Sequence, residues 1–360
     1  MTIIPTEPPK KTIAKKFTYF IGIDVSKNEL DYAVIQGETF LFHLEGKNSP
    51  ADILLFVGEL KKLPKFTISK ALFCMEATGF YCNHLLNNLC KLKANIWLEN
   101  ALQIKKSLGL VRGKNDKDDS VRIAAYAQKN YREAKLWSPG RPVVLELKQL
   151  VALRSRMLNL SMAIRTPLKE QTSFVKKTLV KQNKQLCKHS SEAVLADLLK
   201  IESRIEMVIN ADPNLKRLKY LITSVPCVGP VTAVQIICST NEFTVIRDPK
   251  KFACYAGVAP FKTESGVISG RARVSHYANK RIKSLLHICA MNASRHDEEL
   301  RLYYDRKTKA DGKHQMSVIN AIRYKLILRV FACVNQNRPY SKNFERGRRL
   351  NELPVDLNAN

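Results

Sequence analysis

The sequence predicts two bodies: a mixed α/β sheet domain covered on both faces, then a helical arm leading into a mainly helical domain. Three observations predict this. Short aromatic and β-branched runs alternate with helical stretches over residues 17–140, as in a sheet with crossing helices. The breaker "WSPGRP" at 137–142 is followed by chain with almost no glycine, rich in Leu, Lys, Arg and Glu, to about Leu218. From Leu221 glycine and serine return in loops between apolar runs. A chain of 360 residues suits two domains and a connector better than one domain.

In order, residues 1–16 form a flexible basic lead carrying Lys10, Lys11, Lys15 and Lys16. The run "FTYFIGID" at 17–24 is a buried strand, "LDYAVIQ" at 30–36 a second and "GETFLFHLEG" at 37–46 a turn and a third, together an antiparallel meander. A helix covers 50–61, with Pro50 as its first residue and Ser49 as its cap. A strand at 70–76, a helix at 80–90, a strand at 93–99 and a long helix from Asp116 to about Asn130 complete the domain at 17–140. The arm, 141–220, holds two or three long helices with 16 basic and 7 acidic residues. An antiparallel pair there suits dimerisation or the holding of nucleic acid, and without a strict heptad it is no regular coiled coil. A compact domain occupies 221–340 and ends in a helix at 312–331; the polar tail, 341–360, is expected to fray.

Sixty Lys and Arg against 32 Asp and Glu give a formal charge of +28, far more than solubility needs. Such a charge implies a large polyanion as partner, DNA or RNA. A membrane is not the partner expected, because the longest apolar stretches are interrupted by Arg323, Lys325 and Arg329, and no apolar signal core follows the basic lead. A cytoplasmic, nucleoid-associated protein is expected. The nine cysteines form no C-x-x-C pair, so reduced thiols in apolar surroundings are expected rather than zinc or a disulfide framework.

The chemistry-bearing residues of the first domain are acids. Asp24 ends the first strand and Glu76 directly follows "ALFCM", where a carboxylate is costly unless it meets water, a partner or a metal. Asp116, Asp118 and Asp119 crowd a helix start. Acids favour a first turn as caps, but three in four positions exceed what capping needs, and Asn115 can cap instead. Asp116 and Asp119, three apart, share a face that Asp118 does not. Four carboxylates from separate segments repel one another unless cations intervene, and hard oxygen donors suit Mg2+ or Mn2+. Two such ions can clamp a phosphodiester. A sugar-kinase-like fold also opens on a strand, an aspartate and a meander, but it requires glycine-rich phosphate loops that are not found here.

In the second domain, "SVPCVGPVTA" at 224–233 has the outline of a helix–hairpin–helix turn. Gly229 and Pro230 would make the tight turn and face a phosphate, with Cys227 where glycine is often found. The segment 255–286 brings Ser265 beside a basic row of Arg271, Arg273, Lys280, Arg281 and Lys283, which suit phosphate contacts. Ser265 is one nucleophile toward a phosphodiester, and on chemistry alone His276 and Tyr277 rival it.

These motifs, in this order, resemble those of the DEDD-type insertion-sequence transposases, a group that includes pilin-gene-inverting recombinases. "YFIGIDVSKNELDYAVI" resembles the opening motif and matches its acid to Asp24. "FCMEATGFY" resembles the second and matches Glu76. "RGKNDKDDSVRIA" resembles the Asp-x-x-Asp motif and matches Asp116 and Asp119, with Asn115 for the usual Thr and Ser120 for the usual Ala. "FACYAGVAPFKTESGVISGRARVSHYANKRIKSLL" resembles the serine motif and matches Ser265. The similarity spans about residues 17–335.

The resemblance implies an RNase-H-like, Holliday-junction-resolvase-like domain, a helical arm and a mainly α-helical transposase domain. It implies Mg2+ on the four acids, a covalent phosphoserine link to DNA, and a structured non-coding RNA that pairs with donor and target DNA. It also implies a dimer-to-tetramer assembly, with active sites built from one subunit's first domain and another's second. Other readings are a metal-dependent junction resolvase or nuclease that uses water, a site-specific DNA invertase, and a basic scaffold whose acids are only caps.

Overall fold

The computed structural model describes residues 16–107, 115–261, 264–265, 268–269, 273–275 and 277–342. The basic lead up to residue 15 and the tail from residue 343 lie outside them. The chain divides into two compact units, Met1–Pro139 and Gly140–Asn360.

In the first unit the strands are β1 (Tyr19–Val25), β2 (Glu29–Gln36), β3 (Thr39–Lys47), β4 (Ala71–Glu76) and β5 (Asn95–Glu99). They form one sheet in the order β3-β2-β1-β4-β5. The meander β1–β2–β3 is antiparallel, and β4 and β5 run parallel to β1. The helices are α1 (Pro50–Lys61), α2 (Asn83–Lys91), α3 (Ala101–Ser107) and α4 (Asp116–Asn130).

Strand alternation sorts the side chains into two cores. Tyr19, Ile21 and Ile23 of β1 join Phe73 and Met75 of β4 and the apolar faces of α1 and α2. Phe20 of β1 joins Leu72 and Cys74 of β4, Trp97 of β5 and Ile123, Ala124 and Ala127 of α4 on the other face. A mixed sheet with helices on both faces is consistent with an RNase-H-like fold.

Local signals set several boundaries. Ser49 caps α1, its hydroxyl accepting from the Asp52 N–H at 3.2 Å, and Pro50 follows at the first helical position. Replacing Ser49 with Ala leaves that N–H unsatisfied, and we expect a loss of about 1 kcal/mol, read as a lowered urea midpoint at unchanged m-value.

One glycine decides how α4 sits. Gly22 lies mid-strand in β1, at the centre of the sheet, directly beneath α4. A Cβ there would fall 2.2 Å from both Ala124 N and Ser120 O. The close approach of helix backbone to strand backbone is possible because that side chain is missing.

The second unit opens with α5 (Pro142–Glu170), followed by α6 (Lys177–Leu186) and α7 (Lys188–Ala211), which returns along α5. Arg154–Glu202 and Arg204–Glu146 ion pairs bind the two long helices. At their foot Arg141 donates to Asp212 at 2.8 Å and to Glu242 at 2.9 Å. Val144, Leu147 and Val151 of α5 and Ile205, Val208 and Ile209 of α7 are packed into the same core as Phe252, Ile327 and Phe331. Further out few arm side chains are buried, while Leu160, Met162, Leu186 and Leu199 are exposed.

The rest of the unit comprises α8 (Pro213–Thr223), α9 (Pro230–Thr240), α10 (Pro249–Tyr255), α11 (Lys280–His296), α12 (Glu298–Asp305), one π-helical turn at Arg306–Ala310 and α13 (Gln315–Asn335). Helix α8 runs across residue 220 without a break. All nine cysteines are free, and five are buried. Cys254, expected in apolar surroundings, is exposed: α10 is only seven residues long and turns Phe252 and Ala253 inward instead. No helix among the described residues is long and apolar enough to cross a membrane.

Candidate active site

Four of the predicted acids are directed toward one edge of the first unit by simple geometry. β1 and β4 are parallel neighbours, so Asp24 and Glu76, at or near their C-terminal ends, lie on the same edge. Asp24 follows Phe20 and Gly22 in the two-residue repeat, and Glu76 follows Leu72 and Cys74, so both belong to the face that α4 covers. Gly22 holds α4 against this face at Ser120 and Ala124, which brings its first turn, with Asp116 and Asp119, toward Asp24.

The electrostatics register this convergence. Asp24 is pushed from an ordinary 3.8 up to about 6, first by burial, next by the charge of Asp116, with smaller contributions from Asp119 and Glu76. The Val25 backbone N–H acts in the opposite direction. Asp118 is not among the main contributors. Asn115 caps α4, accepting from Lys117 N–H at 3.3 Å, so capping does not require the acids.

A fifth acid stands beside these four. Glu99 ends β5 and pairs in register with Glu76. Its carboxylate accepts from the Asn100 N–H at 2.7 Å and the Tyr126 hydroxyl at 3.4 Å. Burial and then Glu99 push Tyr126 up to about 12. The sequence held the signal: "NIWLE" ends an apolar strand on an acid just as "FCME" does.

The donor chemistry fits a hard divalent cation, since a carboxyl whose proton affinity is raised beside other acids, as at Asp24, is a group such an ion relieves. Among the described residues no three His, Cys, Asp or Glu groups are gathered closely enough to share an ion. Asp119 accepts from Arg122, one turn on, at 2.6 Å.

In the second unit Ser265 is the last residue of a short strand. β6 (Pro260–Phe261) pairs with β9 (Arg273–Val274), and inside that pair β7 (Glu264–Ser265) pairs with β8 (Ile268–Ser269), Ser265 opposite Ile268. The segment leaves α10 through Gly257, whose φ of +63° is left-handed and where a Cβ would lie 2.3 Å from Ala278 Cβ. The side chain of Ser265 and residues Arg271 and His276 lie outside the described residues.

Of the basic row, Arg273 is exposed on β9 and Lys280 is exposed at the start of α11. Lys283 packs against Gly257, 3.5 Å from the position its Cβ would take. Two lysines in a helix's first turn oppose its dipole, an arrangement that an anion relieves. Arg281 is partly buried, donates to the Val151 carbonyl at 3.3 Å, and is held below the usual arginine range by burial and by Arg154.

The turn expected at Gly229 and Pro230 is made elsewhere. Gly229 is the extended N-cap of α9, at φ −80°, because the residue before proline is confined to extended backbone. Cys227 takes the left-handed position at φ +65°.

Comparison with known proteins finds transposase relatives. Residues 21–170 match a transposase family of the DEDD type found in IS110, and residues 219–305 match the transposase IS116/IS110/IS902 family. The chain matches insertion-sequence transposases in both of its units. The pilin gene-inverting protein of Moraxella bovis is 26% identical over 329 residues, covering 90% of this chain and 98% of that protein. Its Moraxella lacunata counterpart is 26% identical over 327 residues, with the same coverage. The 43.6 kDa protein of insertion element IS110 from Streptomyces coelicolor is 25% identical over 147 residues, 41% of this chain and 35% of that one. Among solved structures, T. thermophilus RuvC in complex with Holliday junction substrate aligns with 14% identity and a TM-score of 0.26, covering 33% of this chain and 99% of that one, a likeness too remote to bear on function. The family matches support a DNA-acting enzyme of the transposase or recombinase kind.

Proposed function

We propose that this transposase-like chain cuts and rejoins DNA using Ser265 as nucleophile and a Mg2+ site formed by Asp24, Glu76, Asp116 and Asp119, and is guided to its DNA by a structured non-coding RNA. The observation that carries the reading is that strand order and Gly22 direct acids from three chain segments to one edge of the sheet, where their charges add to the burial that raises Asp24 to about 6. When bound, Mg2+, or Mn2+ in its place, would neutralise these acids and stabilise charge developing on a phosphodiester.

The serine Oγ would bond to phosphorus as a DNA hydroxyl departs, and attack by a second DNA hydroxyl would restore the serine. Arg271, Arg273, Lys280 and Lys283 would hold the DNA backbone, and the first turn of α9 at Gly229 would add N–H donors. Arg281 would act indirectly, fastening α11 to the arm. Apolar side chains exposed on the arm support assembly as a dimer or tetramer. A net charge of +28 fits a cytoplasmic protein resident on the nucleoid.

The test is a denaturing assay for protein-linked DNA, using the full chain with its native flanking DNA and co-expressed flanking RNA. A covalent adduct is expected, and its loss in Ser265→Ala. Strand cleavage that persists without an adduct would instead assign a junction resolvase or nuclease using water. The names of the Moraxella relatives favour inversion of a resident segment as a second reading. Recovery of inverted rather than newly inserted DNA would establish it. Recovery of one discrete flanking transcript on the purified protein would support RNA guidance, and bulk RNA alone would oppose it.

A further inference from the structure

The distal arm carries a feature that dimerisation does not require. Between residues 171 and 191 there are five lysines and no acidic residue. An ordinary solvated helix face mixes both signs, because like charges four apart on a helix destabilise it. Here Lys177, Lys181 and Lys184 follow one another at intervals of four and three, so they fall on one face of α6, and Lys188 opens α7 beside them. All four are exposed, and together with Thr172 and Val180 they line one concavity. Lys184 and Lys188 also line the adjoining trough, whose walls carry Arg165, Lys169 and the two acids Glu170 and Glu192.

The surroundings do not neutralise this stripe. Lys188 has Glu192 at 4.0 Å. Among the described residues Lys177, Lys181 and Lys184 have no ion pair. The stripe is also held in place rather than loose: Val180 is buried beside it, and Asn183 donates to Gln171 across the tip at 3.1 Å. Phe174, 89% exposed, stands at the same end of the arm.

We infer that this lysine stripe at the end of the arm is a binding track for the phosphodiester backbone of a nucleic-acid strand. The inference rests on the reading above only in taking nucleic acid as the partner. From Lys177 to Lys184 helix α6 advances about 10 Å, the axial length of roughly three phosphates along one strand of a duplex, and Lys188 continues the lining at the start of α7. Lysine binds phosphate as a point charge on a flexible stem, so the track tolerates any sequence. RNA and DNA share this backbone, and the experiment separates them.

The experiment uses the full chain, with all four lysines changed to glutamine, against a control in which Lys47, Lys61, Lys70 and Lys91 are changed instead. Binding is measured across a salt series to labelled single-stranded RNA and to duplex DNA, each of about 30 nucleotides or base pairs and of unrelated sequence. The stripe variant is expected to lower the slope of log K against log salt by about 3 on at least one probe, and the control by less than about 1. A fall on RNA alone or on DNA alone identifies the strand held. Equal slopes for stripe variant and control would overturn the inference while leaving the recombinase reading intact. A parent chain that binds neither probe would overturn the nucleic-acid reading itself. The stripe variant should melt no lower than the parent, because removing like charges relieves repulsion, so lost binding would not reflect lost folding.

Discussion

Gly22→Ala should destabilise the first unit by about 3 kcal/mol or more and disable the carboxylate site with it. A Cβ at position 22 meets Ala124 N and Ser120 O, each at 2.2 Å, and both are helix backbone that cannot rotate away. α4 must therefore lift from the sheet by about an ångström. Overpacking of this kind typically costs 1–3 kcal/mol, and the collision of two rigid backbones belongs at the upper end. The same movement carries Asp116 and Asp119 away from Asp24, and a misplacement of about 1 Å can reduce a rate by about a hundredfold. Urea unfolding followed by circular dichroism, with DNA cleavage assayed on the folded fraction, tests both parts. Wild-type stability in the variant would show that α4 does not bear on β1 at this glycine.

Asp24→Asn should stabilise the protein at neutral pH in the absence of divalent ions while eliminating its activity. The sign follows from linkage. Asp24 binds its proton more tightly folded than unfolded, so the native state holds more protons between about pH 3.8 and 6. Its contribution to stability is fully present below pH 3.8 and is lost as pH rises through about 6. A rise of this size corresponds to roughly 3 kcal/mol, which solvent screening at a half-buried group reduces to about 1–2 kcal/mol. The asparagine variant should therefore exceed the parent in melting temperature at pH 7–8 and lose that advantage near pH 4. Millimolar Mg2+ should raise the parent's melting temperature more than the variant's. Parallel pH profiles for the two proteins would remove the basis for an acidic cluster around Asp24.

The elements of the first unit were legible because their signals are local. Ser49 and Pro50 mark the start of α1, Asn115 that of α4, and the apolar runs of β1 and β4 stop at Asp24 and Glu76. Glu99 was missed because its importance lies in register: only the pairing of β5 with β4 makes it the neighbour of Glu76. Likewise the turn at 224–229 could be seen as a turn, but nothing local says that Cys227 takes the left-handed position that glycine would occupy more easily.

By itself the sequence determined the five strands and, except for α3, the helices of the first unit, the acids at their ends and the charge of +28, since caps, periodicity and composition act over a few residues or over none. Only the tertiary structure decided which of those acids face one edge of the sheet. Strand order brings the ends of β1 and β4 to one edge, the two-residue repeat turns Asp24 and Glu76 to the same face, and the missing side chain of Gly22 lets α4 descend onto it. It decided equally that Arg281 fastens α11 to the Val151 carbonyl of the arm. Such encounters join residues far apart in the chain, and the free energy that selects them comes from burying the two faces of the sheet and the helical core, not from any property of the local chain.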